Sequence, residues 1–387
     1  VGSRNRGIDL LRGISILLVV VHHVGLRIPL KSTALAQVVP RRLLRSLTSN
    51  GYEAVFLFFV LSGFLITTNS LRRWHSLSSV DARAFYARRF ARIVPCLLAL
   101  VLVLSVLHLL RVKDYVITHP NQSLARAILS ALGLHLNWYE GRTGYLPGGW
   151  DVLWSLSIEE TFYLAFPLLC LTLRREDLFA TALLLLALSL PMARAALAGN
   201  EVWQEKAYLP GMAGIAAGVL GALVAHRSSP PPWQVSVLGM TGAAGVAAVL
   251  LQEDILWSLL GNGTMLLLTF SAAGLVVACH WMEAEGRSPF ARGTRWLRSC
   301  GRWSYEIYLT HMFVVFATVR AFRAAGEMRT GFLWYVPAVV LSWALGALVA
   351  RLFSAPADHW LRELLGGVED LPVALSSVPE GPRPAGL

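Results

Sequence analysis

Two residues of opposite chemical habit share one face of the first apolar segment. Arg12 carries a permanent charge, His23 titrates near neutral pH, and most of the residues between them are apolar. Eleven residues make about three helical turns, so both side chains point the same way, about 16 Å apart along the axis. A charge held in hydrocarbon costs about 2.5 kcal/mol or more, so such a residue faces a protein interior or a water-filled cavity. The simplest partner for Arg12 is Asp9, one turn earlier at i,i+3. The spacing implies an anionic ligand lying along the helix, with its reacting end near the titratable base. His22, rotated about 100° away, belongs to the interface.

Four further stretches carry polar chemistry. Arg88-Arg89-Phe90-Ala91-Arg92-Ile93-Val94-Pro95 puts three guanidiniums on a short helical stretch, a fork suited to phosphate groups. Trp154-Ser155-Leu156-Ser157-Ile158-Glu159-Glu160-Thr161-Phe162-Tyr163 places two adjacent carboxyls inside an apolar run, which lipid-facing surface does not explain. Their depth fits a carboxylate beside His23, fixing its tautomer and stabilising the imidazolium that a general base becomes. The two carboxyls diverge by about 100°, so one of Glu159 and Glu160 would serve. Ser304-Tyr305-Glu306-Ile307-Tyr308-Leu309-Thr310-His311 aligns Ser304, Tyr308 and His311 on one face. Phe58 to Thr67 contains the small pair Ser62-Gly63, whose simplest use is close helix approach.

These residues have to be positioned by a membrane protein. The 387 residues are 55% hydrophobic and 15% charged, with mean hydropathy +0.56; soluble domains carry about 25% charged residues. The net charge of +11 does not point to nucleic acid, because the arginines cluster between apolar runs, where topology signals sit. All but Lys31, Lys113 and Lys206 of the 34 basic residues are arginine. Cys96, Cys170, Cys279 and Cys300 form no CxxC pair, so neither a disulfide framework nor a zinc site is expected. No cleavable leader is expected either. The fold class is all-α and polytopic, with about ten spans: 8–26, 52–71, 93–110, 152–173, 178–197, 208–226, 234–251, 256–279, 303–322 and 332–353. Segment 121–140 reads as an interfacial or re-entrant helix. The dense basic clusters at 72–92 and 287–302 favour cytoplasmic N- and C-termini, while the basic loop 27–50 opposes that orientation. One membrane domain covers 1–366, and 367–387 is a flexible Pro/Ser/Gly-rich tail.

In this order the five stretches resemble the acyltransferase-3 family of integral-membrane O-acyltransferases. Arg12 and His23 match its Arg, ten residues, His pattern. Phe58 to Thr67 is similar to its Phe-Phe-x-x-Ser-Gly-Phe element, and Arg88 to Pro95 to its Arg-Arg-x-x-Arg-Ile-x-Pro element. Trp154 to Tyr163 and Ser304 to His311 resemble its Trp-Ser-Leu-Ser-x-Glu-Glu-x-Phe-Tyr and Ser-Tyr-x-x-Tyr-Leu-x-His elements. Ile8-Asp9-Leu10 stands where the family often has Leu-Asp-Gly. The hydrolase-like domain that some members carry after the membrane part is not expected here, and a second transfer step would then fall to another protein.

The resemblance implies transfer of an acyl group, most often acetyl, from cytoplasmic acyl-CoA as co-substrate, with no metal. The acceptor would be a hydroxyl of a sugar, glycan, lipid-linked saccharide or small natural product, and the site the cytoplasmic (inner) membrane of a bacterium. CoA phosphates would meet Arg88, Arg89 and Arg92, and the pantetheine arm would pass Arg12. His23 would act as base with Glu159 or Glu160 orienting it. Arg12, Tyr305 or Tyr308 would serve the developing oxyanion. Asp9, Ser62 and His311 join the site through their motifs. The alternative reading is a proton-coupled transporter of a small anionic solute or acyl group, built from the same intramembrane Arg, His and Glu. No inverted repeat supports it.

Overall fold

The computed structural model describes residues 4–287 and 293–365. The tail expected at 367–387, and Arg292 of the basic cluster at 287–302, lie outside the described residues. Every regular element among the described residues is helical. In chain order the first four are α1 (Arg6–Gly25), α2 (Arg41–Ser49), α3 (Gly51–Trp74) and α4 (Ala82–Leu109). Short helices α5 (Leu124–Leu132), α6 (Leu136–Thr143) and α7 (Gly148–Asp151) precede α8 (Trp154–Thr172). Then come α9 (Glu176–Leu188), α10 (Leu190–Ala195), α11 (Glu201–Lys206), α12 (Tyr208–Arg227) and α13 (Pro232–Leu251). The last six are α14 (Glu253–Leu260), α15 (Gly263–Ala284), α16 (Arg295–Arg302), α17 (Ser304–Ala325), α18 (Tyr335–Val349) and α19 (Ala355–Leu364).

Among the described residues nine helical stretches are long and apolar enough to cross a membrane. The fifth expected span, 178–197, is broken. Pro191 lacks an N–H, and the stretch divides at Ser189 into α9 and α10. The pair still carries the chain from the end of α8 to the opposite side. There Arg194 of α10 meets the Tyr52 hydroxyl near the start of α3. The third span begins earlier than expected: α4 starts at Ala82, so the arginine cluster sits on the helix itself and Pro95 lies inside it. Segment 121–140 forms α5 and α6, joined through Leu134 in a left-handed conformation.

Burial grades the helices from interior to periphery. About 72% of the apolar window of α3 and of the α11–α12 stretch is buried, against 28% for α13 and for the α18–α19 stretch. The lipid-facing side of α4 shows Leu98, Leu102, Val106 and Leu109. Two helix crossings within the bundle need glycine on both sides. A Cβ on Gly63 of α3 would stand 2.0 Å from Ile215 O, and one on Gly218 of α12 would stand 2.0 Å from Val60 O. Gly13 and Gly301 play the same reciprocal part between α1 and α16, against Leu297 O and Asp9 O. The close approach expected of Ser62-Gly63 thus belongs to Gly63. It leaves Ser62 free to turn the other way, into a cavity between α1, α3, α8 and α17.

Candidate active site

Helix α1 is started by Asn5, whose Oδ1 accepts from Ile8 N at 2.9 Å. Its polar face then meets α17, which runs alongside. Arg12 does not pair with Asp9. Asp9 takes a bidentate pair from Arg4, at 3.1 and 2.8 Å. Arg12 instead reaches across to α17, where its Nε and Nη2 donate to Ser304 Oγ at 3.1 and 2.9 Å. Arg4 lies just outside the helix and can fold back onto Asp9. Arg12 points into the bundle, where Ser304 is the acceptor within reach.

At the other end of the shared face, His23 stands against His311 of α17, ring centroids 5.2 Å apart. His311 is fully buried. Its Nδ1 lies 2.7 Å from Tyr308 O and 3.2 Å from Ile307 O. A carbonyl only accepts, so Nδ1 carries the proton. The lone pair then sits on Nε2, which is buried without a hydrogen-bond partner. His22 turns away: its Nδ1 donates to Thr48 O at 2.8 Å, and Gly51 packs flat on its ring.

Between these two ends lies a cavity of about 590 Å³ including its mouth, lined by Arg12, Phe58, Ser62, Ser155, Glu159, Ser304, Tyr305 and Tyr308 among others. Its polar groups come from four helices, as an intramembrane site requires. Tyr308 closes the upper end. Its hydroxyl donates to Val152 O at 2.8 Å and accepts from Ser155 Oγ at 2.8 Å, while its ring stands 5.8 Å from that of His311. The cavity therefore ends one ring short of the histidine pair.

The two glutamates do not reach His23. Helix α8 runs opposite to α17, and its Ser155 is already level with Tyr308. Glu159, about 6 Å further along α8, comes down to the Arg12 end. There it lines the cavity with Arg12 and Ser62, in the electrostatic field of Arg89 and Arg12 and 3.5 Å from the Tyr163 hydroxyl. Glu160 points elsewhere, toward Arg89, and its Oε1 is buried without a partner. The expected His–Glu pair is replaced by the His23–His311 pair, because the antiparallel run of α8 carries Glu159 to the Arg12 end of the cavity. Of the three oxyanion candidates, Tyr305 and Tyr308 both give their phenolic protons to backbone carbonyls, Tyr305 to Ile93 O at 2.9 Å. Arg12 keeps donors to spare.

The arginine cluster divides. Arg92 bonds Glu306 at 2.8 Å and Ser354 Oγ at 2.9 Å, with Glu306 1% exposed, so it ties α4 to α17 and to the π-helical turn at Ala350–Ser354. Arg89 lies over the ring of Tyr163, 4.2 Å from its centroid. Arg88 and Arg89 remain half-buried on the same turn of α4. All four cysteines are buried and free. A second polar cluster escaped the sequence reading: Lys206 is buried between Glu140 and Asp151. One signal for it existed, since Lys206 is one of three lysines in the chain and stands at the threshold of a span.

The family described as an acyltransferase domain matches residues 5–351. The chain is 22% identical over 347 residues to the protein named Putative O-acetyltransferase SACOL0978 of Staphylococcus aureus (strain COL), covering 83% of this chain and 52% of that one. It is 30% identical over 192 residues to the peptidoglycan O-acetyltransferase OatA of Listeria monocytogenes, covering 47% and 29%. To the O-acetyltransferase OatA of Staphylococcus aureus (strain NCTC 8325 / PS 47) it is 31% identical over 131 residues, covering 31% and 20%. The chain spans about half the length of the first of these relatives and less of the others. No solved structure matches it.

Proposed function

The chain belongs to the acyltransferase-3 family of integral-membrane proteins, and on that premise we propose that it moves an acyl group, acetyl first among candidates, from acyl-CoA to an acceptor hydroxyl. The Arg12 side of the bundle, with Arg88 and Arg89 on α4, faces the cytoplasm and receives the CoA phosphates, and this reading assigns both chain termini to the cytoplasm. The protein sits in the cytoplasmic membrane of a bacterium. The pantetheine arm enters the cavity past Arg12 and Glu159 and brings the thioester up to Tyr308. His23, braced by His311, takes the acceptor's O–H proton. The oxygen attacks the thioester carbonyl, the tetrahedral intermediate collapses with cleavage of the C–S bond, and the imidazolium returns its proton to the departing thiolate. The ester and free CoA are the products, and no electrons are exchanged with any other group.

One observation carries this reading: a cavity with a guanidinium at one end and a pair of imidazoles just beyond the other. The relatives' printed names, which are those of O-acetyltransferases, support it. The test is incubation of the purified full chain with acetyl-labelled CoA. Release of CoA with label appearing on an acceptor or as acetate is the expected result. A chain that binds acetyl-CoA and never cleaves the thioester would overturn the reading and favour a transporter.

A further inference from the structure

The acid–base pair and the cavity make no use of the Lys206 cluster, which lies on the His23 side of the bundle. The Lys206 side chain is 3% exposed and bonds Glu140 Oε2 at 2.9 Å and Asp151 Oδ1. Glu140 is wholly buried and fully engaged, since its Oε1 accepts from Leu146 N at 2.9 Å. Asp151 differs: only its Oδ1 is held, and its side chain keeps 19% exposure. Beside it the Tyr145 ring lies 4.3 Å from Lys206 Nζ and is fixed by donating its hydroxyl to Glu205 at 3.2 Å, yet Tyr145 stays 49% exposed. A rigid aromatic ring and a rigid carboxylate thus sit together at the surface, both anchored on one buried ammonium.

Their place is next to the reacting groups. Tyr308 bonds Val152 O, one residue past Asp151. Gly148, three residues earlier, packs against Arg27, whose Nη1 donates to His23 O at 2.8 Å. An ionised carboxylate only accepts hydrogen bonds, so its natural partners are hydroxyls. An exposed tyrosine ring offers a flat apolar surface with a polar tip. Lys206 is already held by Glu140 and Asp151, so the exposed Asp151 carboxylate, not a free cation, meets the guest, which disfavours an anionic one.

We propose that Asp151 and Tyr145 form the acceptor subsite and that it takes a neutral saccharide, with its C–H face on Tyr145 and its hydroxyls donating to Asp151. The purpose of the bound sugar rests on the acyl-transfer reading; the binding itself does not. The test uses the full chain in lipid nanodiscs without acyl-CoA. Dissociation constants are measured for two neutral probes, maltotetraose and tetra-N-acetylchitotetraose, and for one anionic probe, tetragalacturonate. At least one neutral probe should bind fivefold or more tighter than the anionic one. Tyr145→Ala and Asp151→Asn should each weaken it at least fivefold, and Tyr145→Phe should stay within twofold. If Asp151→Asn fails to fold, the Tyr145 pair decides alone. Binding of neither neutral probe, or equal binding by Tyr145→Ala, would overturn the subsite. Cleavage of acetyl-CoA is assayed separately on the same preparation. Saccharide binding without cleavage leaves the subsite standing and removes the acyl-transfer reading; cleavage without saccharide binding does the reverse.

Discussion

Replacing Arg12 with lysine keeps the charge and removes the fork. Both Nε and Nη2 of Arg12 donate to Ser304 Oγ, at 3.1 and 2.9 Å, and a single ammonium cannot reproduce that geometry. One charge-assisted hydrogen bond is worth roughly 1.5–3 kcal/mol, which is about 10- to 150-fold in rate. Arg12→Lys should therefore lower kcat/KM for acetyl-CoA by that factor at matched membrane expression. Arg12→Ala should lower it further, because Glu159 then loses the cation that shares its cavity. Ser304→Ala completes a double-mutant cycle. In the Arg12→Lys background it should cost less than in the parent, with a coupling of about 1–2 kcal/mol, within the range found for hydrogen-bonded neighbours. Two results would refute the reasoning. Full activity of Arg12→Lys would show that only the charge matters. Full activity of Arg12→Ala would make the residue an interfacial anchor.

Two further outcomes follow from the packing. Gly63→Ala and Gly218→Ala each force α3 and α12 apart and should each cost roughly 1–3 kcal/mol. Together they should cost less than the sum, since one separation relieves both clashes; melting followed with a thiol-reactive dye on the four buried cysteines reads this, and strict additivity would count against the reciprocal crossing. Arg92→Ala leaves Glu306 buried without its cation, a loss of roughly 3–5 kcal/mol. Arg89→Ala should instead raise the apparent constant for acetyl-CoA with little change in melting; the same melting loss in both variants would return Arg89 to a structural role.

The helical class and most span positions were legible, because long apolar runs bounded by arginines have few other uses in a chain of this composition. The bundle's interior was legible only in part. Arg12 and His23 share a face because the helical period dictates it, and α17 repeats the pattern with Ser304, Tyr308 and His311. What joins the two helices, Arg12 to Ser304 and His23 to His311, depends on relative depth, which one-dimensional spacing does not encode. The same gap misplaced the glutamates. The sequence shows that Glu159 lies inside an apolar run; where α8 starts relative to α17 decides whether it meets His23 or Arg12. The break at Ser189 shortened a span that hydropathy reads as continuous. Lys206, Glu140 and Asp151 lie on three separate segments, and only the fold brings them together.

The central claim is that the imidazole at the end of the Arg12 face takes the acceptor's proton. Its most direct test is His23→Ala in the purified full chain, with acetyl transfer and acetyl-CoA binding measured on the same preparation and His22→Ala as the comparison. Transfer should fall by about 10²- to 10⁴-fold, the usual contribution of a general base. Acetyl-CoA affinity should stay within a few-fold, and His22→Ala should remain active because its ring is turned to Thr48. Near-normal transfer by His23→Ala would contradict the account.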